Sequence, residues 1–164
     1  MIRYTRFESP LGTVMAIADE DGITHVDFVD AKYARRIEPD WVEDPRAPAL
    51  RECVKQLAEY YDGKRTQFDL PLSPRGTQFQ RRVWEEIARV PYGKTITYGE
   101  LAKRAGAPGQ ARAAGAATGR NPIGVVVPCH RIVGADGSLT GYAGGLERKR
   151  ELLEIEGVLQ RSLV

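Results

Sequence analysis

With 164 residues, 42% of them hydrophobic and 28% charged, the chain has the composition of a globular protein with one or two small domains. No stretch approaches the roughly 20 apolar residues that span a bilayer, and the first eight residues contain no long apolar region. We therefore expect no membrane association and a cytoplasmic location. The two cysteines give no disulfide framework and no zinc-type spacing, so no metal is expected.

Charge is divided unevenly along the chain. Residues 1–74 carry 10 Lys and Arg against 14 Asp and Glu, whereas residues 75–164 carry 14 against 8. A basic half favours an anionic partner such as nucleic acid, although scattered surface charge gives the same count. The extended, proline-containing segment 68–74 precedes this change, so we predict two domains, residues 1–74 and 75–164.

The first domain is predicted to be α+β. Short apolar segments at 12–18 and 22–29 indicate an antiparallel hairpin or meander. A helix ending near Asp62 follows, with an apolar stripe of Leu50, Cys53, Val54 and Leu57. Because Cys53 belongs to that stripe, we assign it a structural role.

The second domain is predicted to begin with three helices. Thr77 starts the first, which Pro91 stops, and Thr97 with Glu100 forms a capping box for a short second helix ending at Gly106. A tight turn at 107–109 leads to a third helix over 110–118, and the last two helices have the dimensions of a helix-turn-helix. This motif indicates DNA binding.

Tiny side chains dominate the third helix, in which Arg112 is the one long side chain. Close packing against another helix explains such a composition. A helix thin enough to enter a minor groove, with Arg112 projecting into the duplex, explains it too. Its place as the second helix of the pair favours the groove.

A thiol, an imidazole and a guanidinium stand side by side at Cys129, His130 and Arg131. They follow Pro128 and the valine run 125–127, which we predict to be a buried strand. Neighbouring positive charge lowers a cysteine pKa and favours the nucleophilic thiolate, whereas a buried structural cysteine needs no such neighbours. The local context leaves both alternatives open.

The C-terminal segment combines a loop with a helix. Residues 134–145 are glycine-rich and are predicted to form a flexible wall over a bound group, with Tyr142 as a stacking face. The last helix is predicted to start near Leu146, to bury Leu146, Leu153 and one of Leu152 or Ile155, and to end at Gly157. Glu156 then lies at a helix C-terminus, either solvated or beside a cation such as His130.

The ordered set Pro128-Cys129-His130-Arg131, Tyr142, Gly144-Gly145 and Glu156-Gly157 resembles the O6-alkylguanine-DNA alkyltransferases. The resemblance covers residues 76–157. It implies an α+β protein in which a small ribonuclease-H-like sheet-plus-helix domain precedes a mainly helical, winged helix-turn-helix domain.

The resemblance also implies a role for each matching residue. Cys129 is the alkyl acceptor, activated through a bridging water by His130 and Glu156, while Tyr98 protonates the guanine. Arg112 fills the gap that the flipped base leaves. The implied DNA-binding residues are Arg112, Ala113, Gly115, Asn121 as a hinge, and Arg131; the implied pocket residues are Tyr98, Ile132, Tyr142, Ala143 and Gly144.

The implied activity is DNA repair by irreversible alkyl transfer to Cys129, once per molecule, without a cofactor. The implied partner is double-stranded DNA containing O6-alkylguanine, with O4-alkylthymine as a second lesion, bound by a monomer whose cooperative loading stays open. Two rivals remain. A cysteine hydrolase must place one of two histidines, His25 or His130, opposite the thiol, and a DNA-binding regulator needs no thiol chemistry.

Overall fold

The computed structural model describes residues 1–160 and divides into two compact units. The first contains residues 1–75 and 122–126, and the second contains residues 76–121 and the described residues from 127 to 160. The predicted boundary after residue 74 falls beside the first division, but the sequence analysis placed segment 122–126 in the second domain. Within the described residues, no helix is long and apolar enough to cross a membrane.

A four-stranded sheet forms the body of the first unit. Its strands are β1 (Arg3–Ser9), β2 (Gly12–Asp19), β3 (Gly22–Phe28) and β4 (Val42–Glu43), in the order β3-β2-β1-β4, with β4 parallel to β1 and the other pairs antiparallel. The β2–β3 pair confirms the predicted meander. The sequence analysis did not predict β1, because exposed Arg3, Arg6 and Glu8 interrupt its apolar pattern.

Helix α1 (Pro48–Tyr61) packs against strands β1 to β3. It buries Leu50, Cys53 and Leu57, while Val54 is only half-buried. Burial raises the pKa of Cys53 to about 12. The thiol therefore stays protonated at neutral pH, in agreement with its predicted structural role.

Two segments outside the named strands bond to β3. The predicted strand at 68–74 is a single bridge, in which Ile23 N donates to Pro71 O at 2.7 Å and Ser73 N donates to Ile23 O at 2.8 Å. Segment 122–126 bonds through Val26 N to Pro122 O at 3.0 Å and through Gly124 N to Val26 O at 2.7 Å.

The valine run does not form the predicted strand. Val125 has φ of +66°, a left-handed conformation that a β-branched residue rarely adopts, and Val126 N donates to Gly124 O at 2.7 Å. All three valines, Val125, Val126 and Val127, are buried, which accounts for their apolar side chains. The backbone turns sharply here instead of extending.

The described part of the second unit contains four further α-helices, one 3₁₀ turn and two short strands. In α2 (Gln78–Ala88), Thr77 and Gln80 form a capping box, and the Thr97 hydroxyl accepts from Glu100 N at the start of α3. The remaining elements are β5 (Ile96–Thr97), α3 (Tyr98–Arg104), α4 (Ala111–Gly119), β6 (Ile132–Val133), parallel to β5, and α5 (Leu146–Ile155).

Helices α3 and α4 form the predicted helix-turn-helix, and α4 packs against both α2 and α3. Ala114 and Ala117 are buried on its inner face, where the Trp84 indole donates to Ala117 O at 2.8 Å. Arg112, Ala116 and Arg120 are exposed. The small residues thus permit close packing on one face while the other stays open.

Helix α5 differs from its prediction at one position. Leu152 and Leu153 are buried, but Leu146 is 50% exposed, so its predicted burial is wrong. Leu146 is the first residue of the helix, and the interior position one turn later is taken by Lys149, which is wholly buried.

His25 makes the stability of the first unit depend on pH. Its burial, with the nearby charge of Arg35, lowers the pKa of His25 from 6.5 to about 4. Between these values the unfolded chain binds a proton that the folded chain does not, so the free energy of unfolding falls as the pH falls. We expect His25→Gln to weaken this dependence, measured by urea denaturation from pH 7 to pH 4. Parallel curves for both proteins would contradict the assignment.

Candidate active site

Cys129, His130 and Arg131 form a one-turn 3₁₀ helix rather than an extended chain. Cys129 N donates to Val127 O at 2.8 Å, and Arg131 N donates to Pro128 O at 2.9 Å. Because a 3₁₀ helix has three residues per turn, the three side chains leave the backbone in three directions. Cys129 keeps 8% of its surface exposed, whereas His130 is wholly buried.

The imidazole of His130 is held at one nitrogen. Nε2 lies 2.6 Å from Oε2 of Glu156, so the contact that the sequence left open is present. Nδ1 is buried and has no hydrogen-bond partner among the described residues. Burial lowers the pKa of His130, against the opposite influence of Glu156. A neutral imidazole with Nε2–H directed at Glu156 leaves the Nδ1 lone pair able to accept a proton.

Arg131 does not occupy the predicted DNA-binding position. Only 5% of its surface is exposed, and Nε and Nη2 donate to the two carboxylate oxygens of Glu156 at 2.8 and 3.0 Å. Nη1 donates to Val90 O at 2.7 Å. A guanidinium enclosed in this way is unavailable to a DNA phosphate, which corrects the prediction.

Lys149 is a site residue that the sequence analysis missed. Its Nζ donates to Ile132 O at 2.6 Å, to Thr140 O at 2.8 Å and to Gly141 O at 3.2 Å. Burial lowers the pKa of Lys149 to about 8, against the opposing influence of Cys129. Its ammonium ties β6 to the glycine-rich loop. The sequence carried one signal of this burial: Lys149 lies three residues after Leu146 and three before Leu152, on the apolar stripe of the helix.

Tyr98 joins the helix-turn-helix to the same loop. Its hydroxyl donates to Thr140 O at 3.0 Å, and a methyl group placed on Gly115 would lie 3.6 Å from Tyr98 Cδ1. Burial raises the pKa of Tyr98, with a further contribution from Cys129, so the phenol keeps its proton at neutral pH.

The other predicted pocket residues divide into two groups. Tyr142, Ala143 and Gly144 are partly exposed on the glycine-rich loop. Ile132 is wholly buried, so, contrary to prediction, its side chain does not line an open pocket. Its backbone pairs with Ile96 of β5, and its carbonyl accepts from Lys149.

The predicted hinge and groove residues lie at the two ends of the α4 region. Asn121 Nδ2 donates to Val127 O at 2.8 Å. This hydrogen bond connects the residue before segment 122–126 to the residue after it. Arg112 is exposed in the first turn of α4, and Ala113 and Gly115 are partly exposed.

The helix-turn-helix is followed by the Cys129 turn, in which a buried glutamate holds the neighbouring histidine. Together these features define a class of DNA-binding proteins that carry a cysteine nucleophile. Two family models match the chain: the ribonuclease-like domain of 6-O-methylguanine DNA methyltransferase over residues 2–74 and its DNA binding domain over residues 78–158. The chain belongs to the 6-O-methylguanine DNA methyltransferase family, as the resemblance predicted. The two-domain α+β fold agrees with this membership.

Named relatives match almost the whole chain. The methylated-DNA–protein-cysteine methyltransferase of Mycolicibacterium paratuberculosis is 48% identical over 159 residues, 95% of this chain and 93% of the relative. That of Methanosarcina acetivorans is 46% identical over 154 residues, 94% and 97% of the two chains. The crystal structure of Mycobacterium tuberculosis OGT in complex with DNA has a TM-score of 0.84 and 44% identity, covering 94% of this chain and 92% of that one.

Lys149→Met tests the role of the buried ammonium. The substitution keeps an apolar stem but leaves the carbonyls of Ile132, Thr140 and Gly141 without this donor. We expect the free energy of unfolding to fall by about 1–3 kcal/mol, the cost of leaving the buried Ile132 carbonyl without a donor, since Thr140 and Gly141 are exposed to water. Urea denaturation measures it, with Lys103→Met on the exposed face of α3 as the control. Equal unfolding midpoints for the two variants would contradict the role.

Proposed function

We propose that this protein repairs DNA by transferring the alkyl group from O6 of an alkylated guanine to Sγ of Cys129, once per molecule. The observation that carries the proposal is the state of His130, whose Nε2 is held by Glu156 while Nδ1 is open. A neutral imidazole in this state is a proton acceptor on the residue next to a partly exposed thiol. Family membership supplies the substrate class.

Proton transfer from Cys129 to His130 is the first proposed step. Their side chains diverge on the 3₁₀ turn, so we assign the connection to one bridging water that donates to Nδ1. The Glu156 carboxylate stabilises the imidazolium that forms at 2.6 Å from it. The thiolate that remains is the competent sulfur nucleophile.

Alkyl transfer is then an in-line displacement. The sulfur–carbon bond forms as the carbon–O6 bond breaks, and the electron pair stays on the guanine, which a proton from Tyr98 neutralises. The imidazolium returns its proton to the phenolate through solvent, so the net change is one proton moved from thiol to guanine. No oxidant, metal or cofactor enters this balance. The thioether has no easy reversal, which gives one transfer per molecule.

Tyr98 must change its partner to serve as the donor. Its hydroxyl hydrogen now points to Thr140 O at 3.0 Å, and a guanine nitrogen would take over as acceptor. The raised pKa of Tyr98 favours the protonated phenol that this step requires. Tyr142, Ala143 and Gly144 form the rest of the proposed pocket, with Tyr142 stacking on the base.

Helix α4 has a proposed role in moving the alkylated base out of the duplex. The O6 atom lies within the base stack, and removing a base from the stack costs a few kcal/mol. We assign Arg112 to the gap left in the duplex, Ala113 and Gly115 to close contact with the groove, and Asn121 to the hinge. Arg112 is exposed on α4, Arg120 is exposed directly after its last residue, and neither α4 nor Arg120 adds an acidic side chain that would repel DNA phosphates.

The remaining assignments extend the same proposal. Double-stranded DNA containing O6-alkylguanine is the partner, with O4-alkylthymine as a second lesion. The protein acts as a monomer in the cytoplasm.

Mass spectrometry of the intact protein tests the proposed transfer. After incubation with duplex DNA containing O6-methylguanine, we expect a mass increase of one methylene group, saturating at one per molecule. Peptide mapping should place it on Cys129 and leave Cys53 unmodified, since Cys53 is buried in α1. DNA binding without an adduct would favour a non-catalytic regulator, and repeated turnover would contradict the once-only reaction.

Arg112→Ala tests base extrusion separately from chemistry. We expect methyl transfer from duplex DNA to slow by about tenfold, the effect of losing about 1–3 kcal/mol at one such contact, while transfer from free O6-methylguanine is unchanged. Single-turnover rates with both substrates measure the difference. Arg89→Ala is the matched control, since it removes one exposed positive charge from the end of α2. Equal loss with both substrates would overturn the assignment.

A further inference from the structure

The Arg131 guanidinium is committed to the carboxylate that holds His130. Nε and Nη2 donate to Oε1 and Oε2 of Glu156, Nη1 donates to Val90 O, and the guanidinium carbon lies 5.7 Å from the centre of the Tyr92 ring. The side chains of Arg131 and Glu156 are 7% and 0% exposed. Charge-assisted, bidentate contacts of this kind are strong and fix both partners in one geometry.

The carboxylate of Glu156 is shared between two side chains. Oε2 faces both His130 Nε2 at 2.6 Å and Arg131 Nη2 at 3.0 Å, while Oε1 accepts from Arg131 Nε at 2.8 Å and lies 3.4 Å from Gly93 N. A lone carboxylate beside a histidine in a buried site would attract a proton onto the pair, because an uncompensated buried charge is costly. Arg131 supplies the compensating charge without using a nitrogen of His130.

We propose that Arg131 is a positioning residue that acts through Glu156 to keep His130 neutral, with its proton on Nε2 and its Nδ1 free. This inference rests on the proposed alkyl transfer, in which Nδ1 accepts the thiol proton. It assigns Arg131, the third residue of the Cys129-His130-Arg131 turn, a role in proton transfer rather than in DNA binding.

Removal of the Arg131 charge changes the protonation of the remaining pair. Burial is the largest influence lowering the pKa of His130, Glu156 raises this pKa, and the charges of Arg131 and Lys149 lower it further. Without Arg131, the pair of His130 and Glu156 takes up a proton in compensation. The resulting imidazolium donates from both nitrogens, so Nδ1 no longer accepts the thiol proton. Tyr92 and Cys129 are the other titratable groups beside this cluster.

An arginine fits this position better than a lysine. Three guanidinium nitrogens reach the two oxygens of Glu156 and the Val90 carbonyl at once. A lysine ammonium is a single point charge on a flexible stem and cannot reproduce the planar, bidentate contact. Arg131→Lys should therefore preserve the charge and lose part of the orientation.

Nitrogen NMR of the histidine side chains tests the inference without any activity measurement. The chain has two histidines, and His25→Gln assigns the signals of the other. In the wild-type protein at pH 7 we expect His130 with a protonated Nε2 and an unprotonated Nδ1. In Arg131→Met we expect the imidazolium signature at the same pH. Arg150→Met, which removes a partly exposed cation from α5, should leave the wild-type signature unchanged.

The pH dependence of methyl transfer from duplex DNA is the second readout. In Arg131→Met we expect the midpoint of the rate profile to move to about one pH unit above neutral, where about one molecule in ten keeps a neutral His130 and transfer at pH 7 is about tenfold slower. The rate should approach that of the wild-type protein at high pH. Arg131→Lys should shift the midpoint less. A lower melting temperature with an unshifted midpoint and an unchanged tautomer would show a merely structural role and overturn the inference.

A double variant keeps the test decisive if Arg131→Met does not fold. Arg131→Met with Glu156→Gln removes both buried charges together, which proteins tolerate better than removal of one. We expect His130 to be neutral in this variant, with no rise in the midpoint. An imidazolium signature there would overturn the inference. If the wild-type protein itself forms no Cys129 adduct, the proposed function fails, whereas an adduct with identical tautomers in all variants refutes only the role of Arg131.

Discussion

The buried carboxylate of Glu156 is the contact on which the arrangement of the site depends. It contacts Nε2 of His130 on one side and accepts from Nε and Nη2 of Arg131 on the other, with 0% of its side chain exposed. Breaking a buried pair by removing one partner costs about 3–5 kcal/mol, because the other charge is left uncompensated. Glu156 therefore holds the end of α5 to the 3₁₀ turn, and Arg131 of that turn extends the connection to the Val90 carbonyl after α2.

A second buried charge organises the loop beside the thiol. The Lys149 ammonium gathers the carbonyls of Ile132, Thr140 and Gly141, and the Tyr98 hydroxyl adds a second donor to Thr140 O. Lys149 lies on α5, and Glu156 follows the last residue of this helix about two turns later. The position of the His130 imidazole and that of the loop backbone at Thr140 and Gly141 are thereby set by two residues of the same segment.

Much of the fold follows from local patterns. The stripe of α1, the capping box at Thr77 and the turn glycines before α4 each specify an element within a few residues, so they were predictable. Strand β1 was not predicted, because its alternating charged residues conceal an inward face. The turn at Val125 was not predicted either, since three consecutive valines favour an extended chain and only the pairing of Pro122 and Gly124 with Val26 bends it.

The sequence by itself determined the helices, the β2–β3 meander, the helix-turn-helix and the identity of the thiol and its neighbouring imidazole. These depend on periodicity, capping and adjacent residues, which act over one or two turns. Only the tertiary structure decided where Arg131 and Lys149 belong, because their partners lie 25 and 17 residues away along the chain at Glu156 and Ile132. In sequence, a lysine or an arginine has the pattern of a surface residue. Arg131 and Lys149 belong to the site because the groups they bond to are buried.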